Sequence, residues 1–239
     1  MEYKVIIPAA GMGKRMGFEK NKLRIHLLNK PIIAYTIEVF EKDPWCSSIL
    51  LVINEQDRTF MEELVKTSKF SKVKEIVKGG QERQESVYKG LKKIEKESIV
   101  LVHDGARPFV HVDDIHKLVQ VTNRKGAAVL AVPVKDTIKR VKEGVIQETL
   151  VRSELWSIQT PQAFHLSLLK QAYDKAEQEK YIGTDDASLV ENMGHKVEIV
   201  KGNYNNIKIT TQEDLLFAHA IINNNDLLKK SNLKFKRQQ

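Results

Sequence analysis

The segment YKVIIPAAGMGKRMG, Tyr3 to Gly17, decides how the rest of the chain is read. A β-rich apolar run, Tyr3–Ile7, stops at Pro8 and passes into a loop carrying Gly11, Gly13, Lys14 and Arg15. Glycine-rich loops after a strand usually hold phosphate, because their backbone N–H groups can turn inward and wrap it. This one is not a P-loop: the residue five before Gly13 is Pro8, and Lys14 is followed by Arg15 rather than Ser or Thr. It is also a poor dinucleotide fingerprint, since the third glycine would fall at Met16. What remains is a loop that wraps a triphosphate, with Arg15 and Lys22 adding positive charge, or equally a plain loop.

Outward from that loop, strand-like and helix-like segments alternate. Ser48–Ile53, Lys74–Val77, Ile99–His103 and Ala127–Val132 read as strands, and helices are expected from Pro31, over Gln56–Lys66, over Glu82–Lys96 and up to Arg124, the last capped by Asp113 or Asp114. Near-continuous apolar strands between helices predict an α/β fold with a mostly parallel sheet covered on both faces. Ligands of such sheets bind outside the carboxyl ends of the strands. Pro8–Lys22, Gly79–Arg83 and Asp104–Arg107 all lie at such ends. The reading is one domain over residues 1–228.

One segment breaks the rhythm. Thr137–Val141 and Val145–Val151 alternate apolar and polar residues around Glu143-Gly144, the pattern of a β-hairpin. An isolated hairpin is marginal in water, so an arm over about residues 134–155 is expected to pack on something, either its own domain or a second subunit.

Composition limits the function classes. The chain has 239 residues, 41% hydrophobic and 29% charged, as an ordinary globular protein does. No apolar run approaches the roughly 20 residues of a membrane helix. The start, Met1-Glu2-Tyr3-Lys4, lacks a signal-peptide pattern, so a cytoplasmic protein is expected. The single cysteine, Cys46, excludes an internal disulfide and a cysteine-clustered metal site. The formal net charge of +8 sits largely in residues 229–239, where Lys229, Lys230, Lys234, Lys236 and Arg237 occur without an acid. That is a solvated tail rather than a nucleic-acid surface, since no aromatics interleave with it for base stacking.

The remaining polar motifs each admit two readings. Asp104, at the end of IVLVH, is placed for a hard cation such as Mg²⁺ bridging to phosphates, or for a turn that pairs it with Arg107. In GGQERQESV, the glycines would let a flat base lie on the backbone and Ser86 would meet a pyrimidine edge; the plain alternative is a polar helix entry. Asn206–Thr210 alternates like a strand, with Lys208 on the side opposite Ile207 and Ile209. Thr184-Asp185-Asp186 equally reads as a helix cap. His103, His111 and His116 show no ligand spacing and read as ordinary histidines.

Taken in order, IIPAAGMGKRMG, NKL with Lys22, GGQERQESV, VHDGARPF, PVKDTIKRV, QTPQAF, TDDAS and NIKITT resemble the 2-C-methyl-D-erythritol 4-phosphate cytidylyltransferases, from Val5 to about Ile222. Ribitol 5-phosphate cytidylyltransferases are the near alternative; they typically carry valine where this chain has Ala106. The resemblance implies a Rossmann-like three-layer sandwich of the nucleotide-diphospho-sugar transferase type. The hairpin would then be an arm exchanged in a homodimer. By the same resemblance, Pro8, Ala9, Ala10, Gly11, Gly13, Arg15, Lys22, Gly80, Arg83, Ser86, Asp104 and Gly105 would surround CTP, with Mg²⁺ at Asp104. Asp104 and Arg107 would lie between the nucleotide and the sugar phosphate, held in turn by Thr137, Arg152, Thr184 and Lys208. Arg15, Lys22, Arg152 and Lys208 would be the catalytic cations, Arg152 entering the partner's site. Leu23 follows Lys22 where many members carry glutamine or a ring, with little expected effect on chemistry. No nucleic acid or membrane partner is implied.

Overall fold

The computed structural model describes residues 1–11 and 21–235, with side chains through residue 224. Gly13 and Arg15 of the opening loop therefore lie outside the described residues. A seven-stranded sheet forms the middle layer. Its strands are β1 (Tyr3–Ala9), β4 (Cys46–Ile53), β5 (Val73–Lys78), β6 (Ile99–Val102), β7 (Ala127–Pro133), β10 (Trp156–His165) and β11 (Glu198–Lys201), in the order β11-β7-β10-β6-β1-β4-β5. All neighbours pair parallel except β10, which is antiparallel to both β6 and β7.

Strand alternation sends β1 side chains to two cores. Val5 and Ile7 meet one helical layer, formed by α1 (Ile32–Lys42), α2 (Arg58–Thr67), α4 (Val112–Lys125) and the first turns of α7 (Gln212–Phe235). Ile6 meets the other, formed by α3 (Arg83–Leu91), α5 (Leu166–Glu179) and α6 (Asp186–Glu191). Each fully buried aliphatic side chain contributes about 1.5–3 kcal/mol, and this two-sided burial is why the strands read as unbroken apolar runs.

Several expected boundaries move, for local reasons. Pro31 stands just before α1 as its N-cap, and Gln56–Lys66 resolves into a 3-10 turn at Glu55–Asp57 followed by α2. The helix expected through Lys96 ends at Leu91, where Lys93 N–H and Ile94 N–H reach back only three residues, to Gly90 and Leu91. His111, not Asp113 or Asp114, precedes α4; the two acids lie in its first turn, where they favour the helix dipole. Strand β10 had no sequence signature, because Gln159, Thr160, Pro161 and Gln162 argue against a central strand. Its register with β7 breaks between Ile158 and Gln162, which accommodates the proline. Asn206–Thr210 forms no strand: Ile209 N–H bonds the Ala106 carbonyl, and the Asn206 side-chain amide donates to Gln159 Oε1 and the Thr160 carbonyl of β10, with no strand pairing. The basic tail is not wholly irregular, since α7 continues to Phe235.

The expected hairpin is present. Strands β8 (Lys139–Lys142) and β9 (Val145–Thr149) pair only with each other, and both turn residues, Glu143 (φ 52°) and Gly144 (φ 79°), have the positive φ of a type I′ turn. Every residue of both strands is exposed, and the arm carries Val141, Val145, Ile146 and Val151 into solvent. Among the described residues no helix is long and apolar enough to cross a membrane. A short β2 (His26–Leu27) and β3 (Lys30–Pro31) complete the strands.

Candidate active site

A concave site lies at the carboxyl ends of β1, β5 and β6, a cavity of about 460 Å³. It is lined by the residues after β1 (Ala10, Gly11), those after β5 (Gly80–Arg83) and those after β6 (Asp104–Ala106), together with Lys22, Ser86 and Lys208. This is the crevice where an open parallel sheet changes strand direction from β1 toward β4 on one side and β6 on the other. Three segments far apart in sequence converge there, as the strand ends predict.

Local chemistry explains each placement. Asn21 is buried; its amide donates to the Ala9 carbonyl (3.0 Å) and to Asp57 (2.8 Å), while its oxygen accepts from Leu23 N–H (3.1 Å). It therefore pins the 3-10 turn Lys22–Arg24 to the end of β1. Lys22 leaves that turn and donates through Nζ to the Ile209 carbonyl (2.8 Å), next to Lys208. Leu23 faces the core and packs near Gly105, where an added Cβ would come within 2.9 Å of Ile33. Gly79 likewise has no room for a side chain: a Cβ there would lie 2.7 Å from the Ala10 Cβ. Omitting it lets the loop after β5 close on the loop after β1.

Ser86 was expected at a pyrimidine edge. Its buried hydroxyl, on the cavity lining, donates to the Glu82 carbonyl and accepts from Gly80 N–H, both at 3.0 Å. Its proton is committed to shaping the Gly79–Glu82 loop, so a base would meet the backbone groups that Ser86 holds in place, with one oxygen lone pair left over.

Asp104 is the electrostatic centre. Arg83 Nε donates to one carboxylate oxygen (3.0 Å) and Lys208 Nζ to the other (2.7 Å). Burial works to raise its pKa, but the charges of Arg83 and Lys208, the Lys208 hydrogen bond and the nearby Arg107 outweigh it and hold the carboxyl well below the usual carboxylate range. Lys208, which on pattern alone reads as a solvated surface residue, is thus drawn into the site. Arg83 is held from behind by a residue the sequence reading had treated only as a cap: its Nη2 donates to Asp186 (2.7 Å), which is fully buried and also accepts from Tyr173 Oη (2.5 Å). Burial opposes the charge of Arg83, yet Asp186 and Asp104 raise its pKa further above the ordinary arginine value. The cap reading of the same stretch is correct for Asp185, which forms a capping box with Ser188 at the start of α6.

Arg107 lies beside the cavity rather than on its lining. Its Nη1 donates to the Asn206 carbonyl (2.7 Å), and its buried Nε has no hydrogen-bond partner among the described residues. Burial lowers its pKa, with Asp104 acting in the opposite direction. Thr137, Arg152 and Thr184 are exposed and do not line the cavity within one chain. Arg152 sits at the base of the arm, bonded to the Lys135 carbonyl (3.1 Å).

No cluster of three or more His, Cys, Asp or Glu side chains suited to a metal occurs among the described residues. Asp104 nonetheless fits Mg²⁺ of the kind that takes one or two carboxylates and completes its shell with phosphate oxygens and water. Each of its oxygens receives one protein donor and keeps a lone pair.

Comparison with known proteins shows the family. A family model described as 2-C-methyl-D-erythritol 4-phosphate cytidylyltransferase matches residues 3–224. A protein of that name from Halalkalibacterium halodurans is 57% identical over 93% of this chain and 97% of its own length. One from Bacillus velezensis is 57% identical over 93% and 96%. Among solved structures, 4-diphosphocytidyl-2C-methyl-D-erythritol synthase from Anaerococcus prevotii superimposes with a TM-score of 0.82 at 32% identity, covering 93% of this chain and 98% of that one. These matches favour the methylerythritol family over the ribitol one. The chain belongs to the 2-C-methyl-D-erythritol 4-phosphate cytidylyltransferase family.

Proposed function

We propose that the protein transfers CMP from CTP to 2-C-methyl-D-erythritol 4-phosphate, giving 4-diphosphocytidyl-2-C-methyl-D-erythritol and pyrophosphate, in isoprenoid precursor synthesis in the cytoplasm. The observation that carries this reading is the cationic cavity: Arg83 and Lys208 pair with one ionised, buried Asp104, and Lys22 lines the same wall, with no nucleophilic triad beside it among the described residues. Such a site suits a reaction between two polyanions. A phosphate monoester is mostly dianionic at pH 7, with a second pKa near 6, so the attacking oxygen needs no general base. It attacks the α-phosphorus in line; the bond to the β-phosphate bridging oxygen breaks, and pyrophosphate leaves.

The protein's contribution is positioning and charge set in place before reaction. Lys22 and Arg15 stabilise the α-phosphate and leaving group. Lys208 and Arg107 aim the incoming phosphate, and Arg152 from a partner subunit neutralises it together with Thr137 and Thr184. Bound at Asp104, Mg²⁺ would supply charge neutralisation of the phosphates. Backbone groups of Pro8, Ala9, Ala10, Gly80 and Gly105 read the base: cytosine offers an N4 donor where uracil has an acceptor, and a fixed backbone would leave a buried group unpaired with the wrong one. The homodimer is supported by the arm, which leaves Val141, Val145, Ile146 and Val151 in water in a lone subunit.

Pyrophosphate release with Mg²⁺ tests the reading. Turnover is expected with CTP and methylerythritol phosphate, well above that with UTP or with ribitol 5-phosphate. Equal use of the two nucleotides would overturn the base-reading assignment, and preference for ribitol phosphate would reassign the substrate.

A further inference from the structure

His103 is a buried titratable group beside the cavity that the CMP-transfer mechanism does not use. It follows β6, is fully buried, and its ring meets the edge of Phe40 with centroids 5.2 Å apart. Both ring nitrogens have partners, and donor–acceptor chemistry assigns their roles. Nε2 lies 2.9 Å from the Arg107 carbonyl oxygen, which can only accept, so Nε2 carries the proton. Nδ1 is then an acceptor, 3.2 Å from Thr160 Oγ1, and the hydroxyl donates to it. That hydroxyl oxygen accepts in turn from Asp104 N–H at 3.0 Å. The bonds run in one direction, from Asp104 N–H through Thr160 and the imidazole to the Arg107 carbonyl. The turn they span closes on itself through Arg107 N–H and the Asp104 carbonyl (3.0 Å).

We propose that His103 is a positioning residue, a rigid two-ended spacer that holds Asp104 at one end and Arg107 at the other. The inference rests on the CMP-transfer reading, in which Asp104 serves the nucleotide and Arg107 the sugar phosphate. A flat ring with fixed acceptor and donor sites sets the distance between the two backbone points, where a flexible side chain would not. The neutral tautomer is the only one that makes all three bonds as described. The His103 backbone N–H is itself anchored to the Ile6 carbonyl of β1 (2.9 Å), which ties the spacer to the strand that leads into the triphosphate loop.

Two amide substitutions separate the ends. In His103→Gln the terminal amide reaches the Nε2 position and still donates to Arg107, but Thr160 loses its acceptor. In His103→Asn the amide oxygen takes the Nδ1 position and still accepts from Thr160, but the Arg107 carbonyl loses its donor. Losing one hydrogen bond at one end corresponds to about a tenfold effect. His103→Gln is therefore expected to raise KM for CTP with Mg²⁺ about tenfold more than KM for the sugar phosphate, and His103→Asn to do the reverse. A general loosening of the core would move both constants together. Folded variants with equal shifts in both constants, or none, overturn the proposal. If both histidine variants fail to fold, Thr160→Val against Thr160→Ser decides: the hydroxyl-free variant should bind CTP about tenfold more weakly by calorimetry and the serine variant near the wild type, and equal values overturn it. If the wild-type chain binds CTP but turns over neither acceptor, the activity reading fails, and the same calorimetric comparison of His103→Gln with wild type still decides this one.

Discussion

At the scale of single residues, the site is organised by charges that alternate through the protein. Lys208, Asp104, Arg83 and Asp186 form a row in which each charge touches one of the opposite sign, ending at Tyr173. Removing the buried end should leave Arg83 with a deficit that water relieves only in part. Breaking such a pair costs about 3–5 kcal/mol when both members are buried. Arg83 is 31% exposed, so about 2 kcal/mol is expected for Asp186→Asn. Tyr173→Phe removes one hydrogen bond and should cost about 1 kcal/mol. Urea denaturation of the two variants measures both, and an Asp186→Asn protein as stable as wild type would show that the row carries no stability. Residue types announced Lys22 and Asp104 as candidates, while Arg83 and Lys208 entered only through the family resemblance. They did not announce Asp186, Thr160 or His103, because a polar residue that serves another polar residue leaves no pattern in its own neighbourhood.

At the scale of elements, the arm is the piece whose sequence and structure disagree least, and its proposed purpose is contact with a second subunit. Alternation and Glu143-Gly144 specified a two-residue hairpin, and the positive φ values satisfy it. Ile146 is 59% exposed on β9, so Ile146→Asp should leave the folded subunit intact while placing a charge on the proposed contact. Sedimentation should show a shift from dimer to monomer, with loss of turnover as Arg152 leaves the partner's site. An unchanged dimer would mean that the arm is a flap on its own subunit. Strand β10 teaches the opposite lesson. A proline and three polar side chains hide it from any propensity argument, yet it occupies the middle of the sheet. Its polar groups are met there: Gln162 donates to Asp185 and accepts from Ala187 N–H, and Gln159 donates to the Asn203 carbonyl. Those partners arrive from segments more than twenty residues away.

At the scale of the whole molecule, the two ends of the sheet titrate differently. At the carboxyl end Asp104 stays ionised far below neutral pH, so it places no acid limit on activity in the ordinary range. At the opposite end, burial raises the Cys46 thiol to about 12. Burial, with Cys46 and Asp43 beside it, also lifts the Tyr3 phenol above its usual value. Both groups favour the protonated form in the folded chain. The thiol's contribution is complete below its unfolded pKa of about 9 and is lost as pH rises toward 12. Between about pH 8 and about pH 10 the wild type should therefore lose about 1.4 kcal/mol more stability than Cys46→Ala. Parallel denaturation curves for the two proteins across that range would refute the assignment.

What the sequence by itself determined is whatever depends on short-range pattern: apolar runs that must be buried on both faces, the strand ends where ligands gather, the hairpin, and a loop that fails both familiar glycine fingerprints. Tertiary structure alone decided the rest. It turned Lys208 from a surface lysine into a partner of Asp104, replaced the expected strand at Asn206–Thr210 with a tether to Ala106, and spent the Ser86 hydroxyl on its own loop. The physical reason is the same in each case. A buried polar group is stable only with a partner, and which partner it finds depends on the path of the chain rather than on its neighbours in sequence.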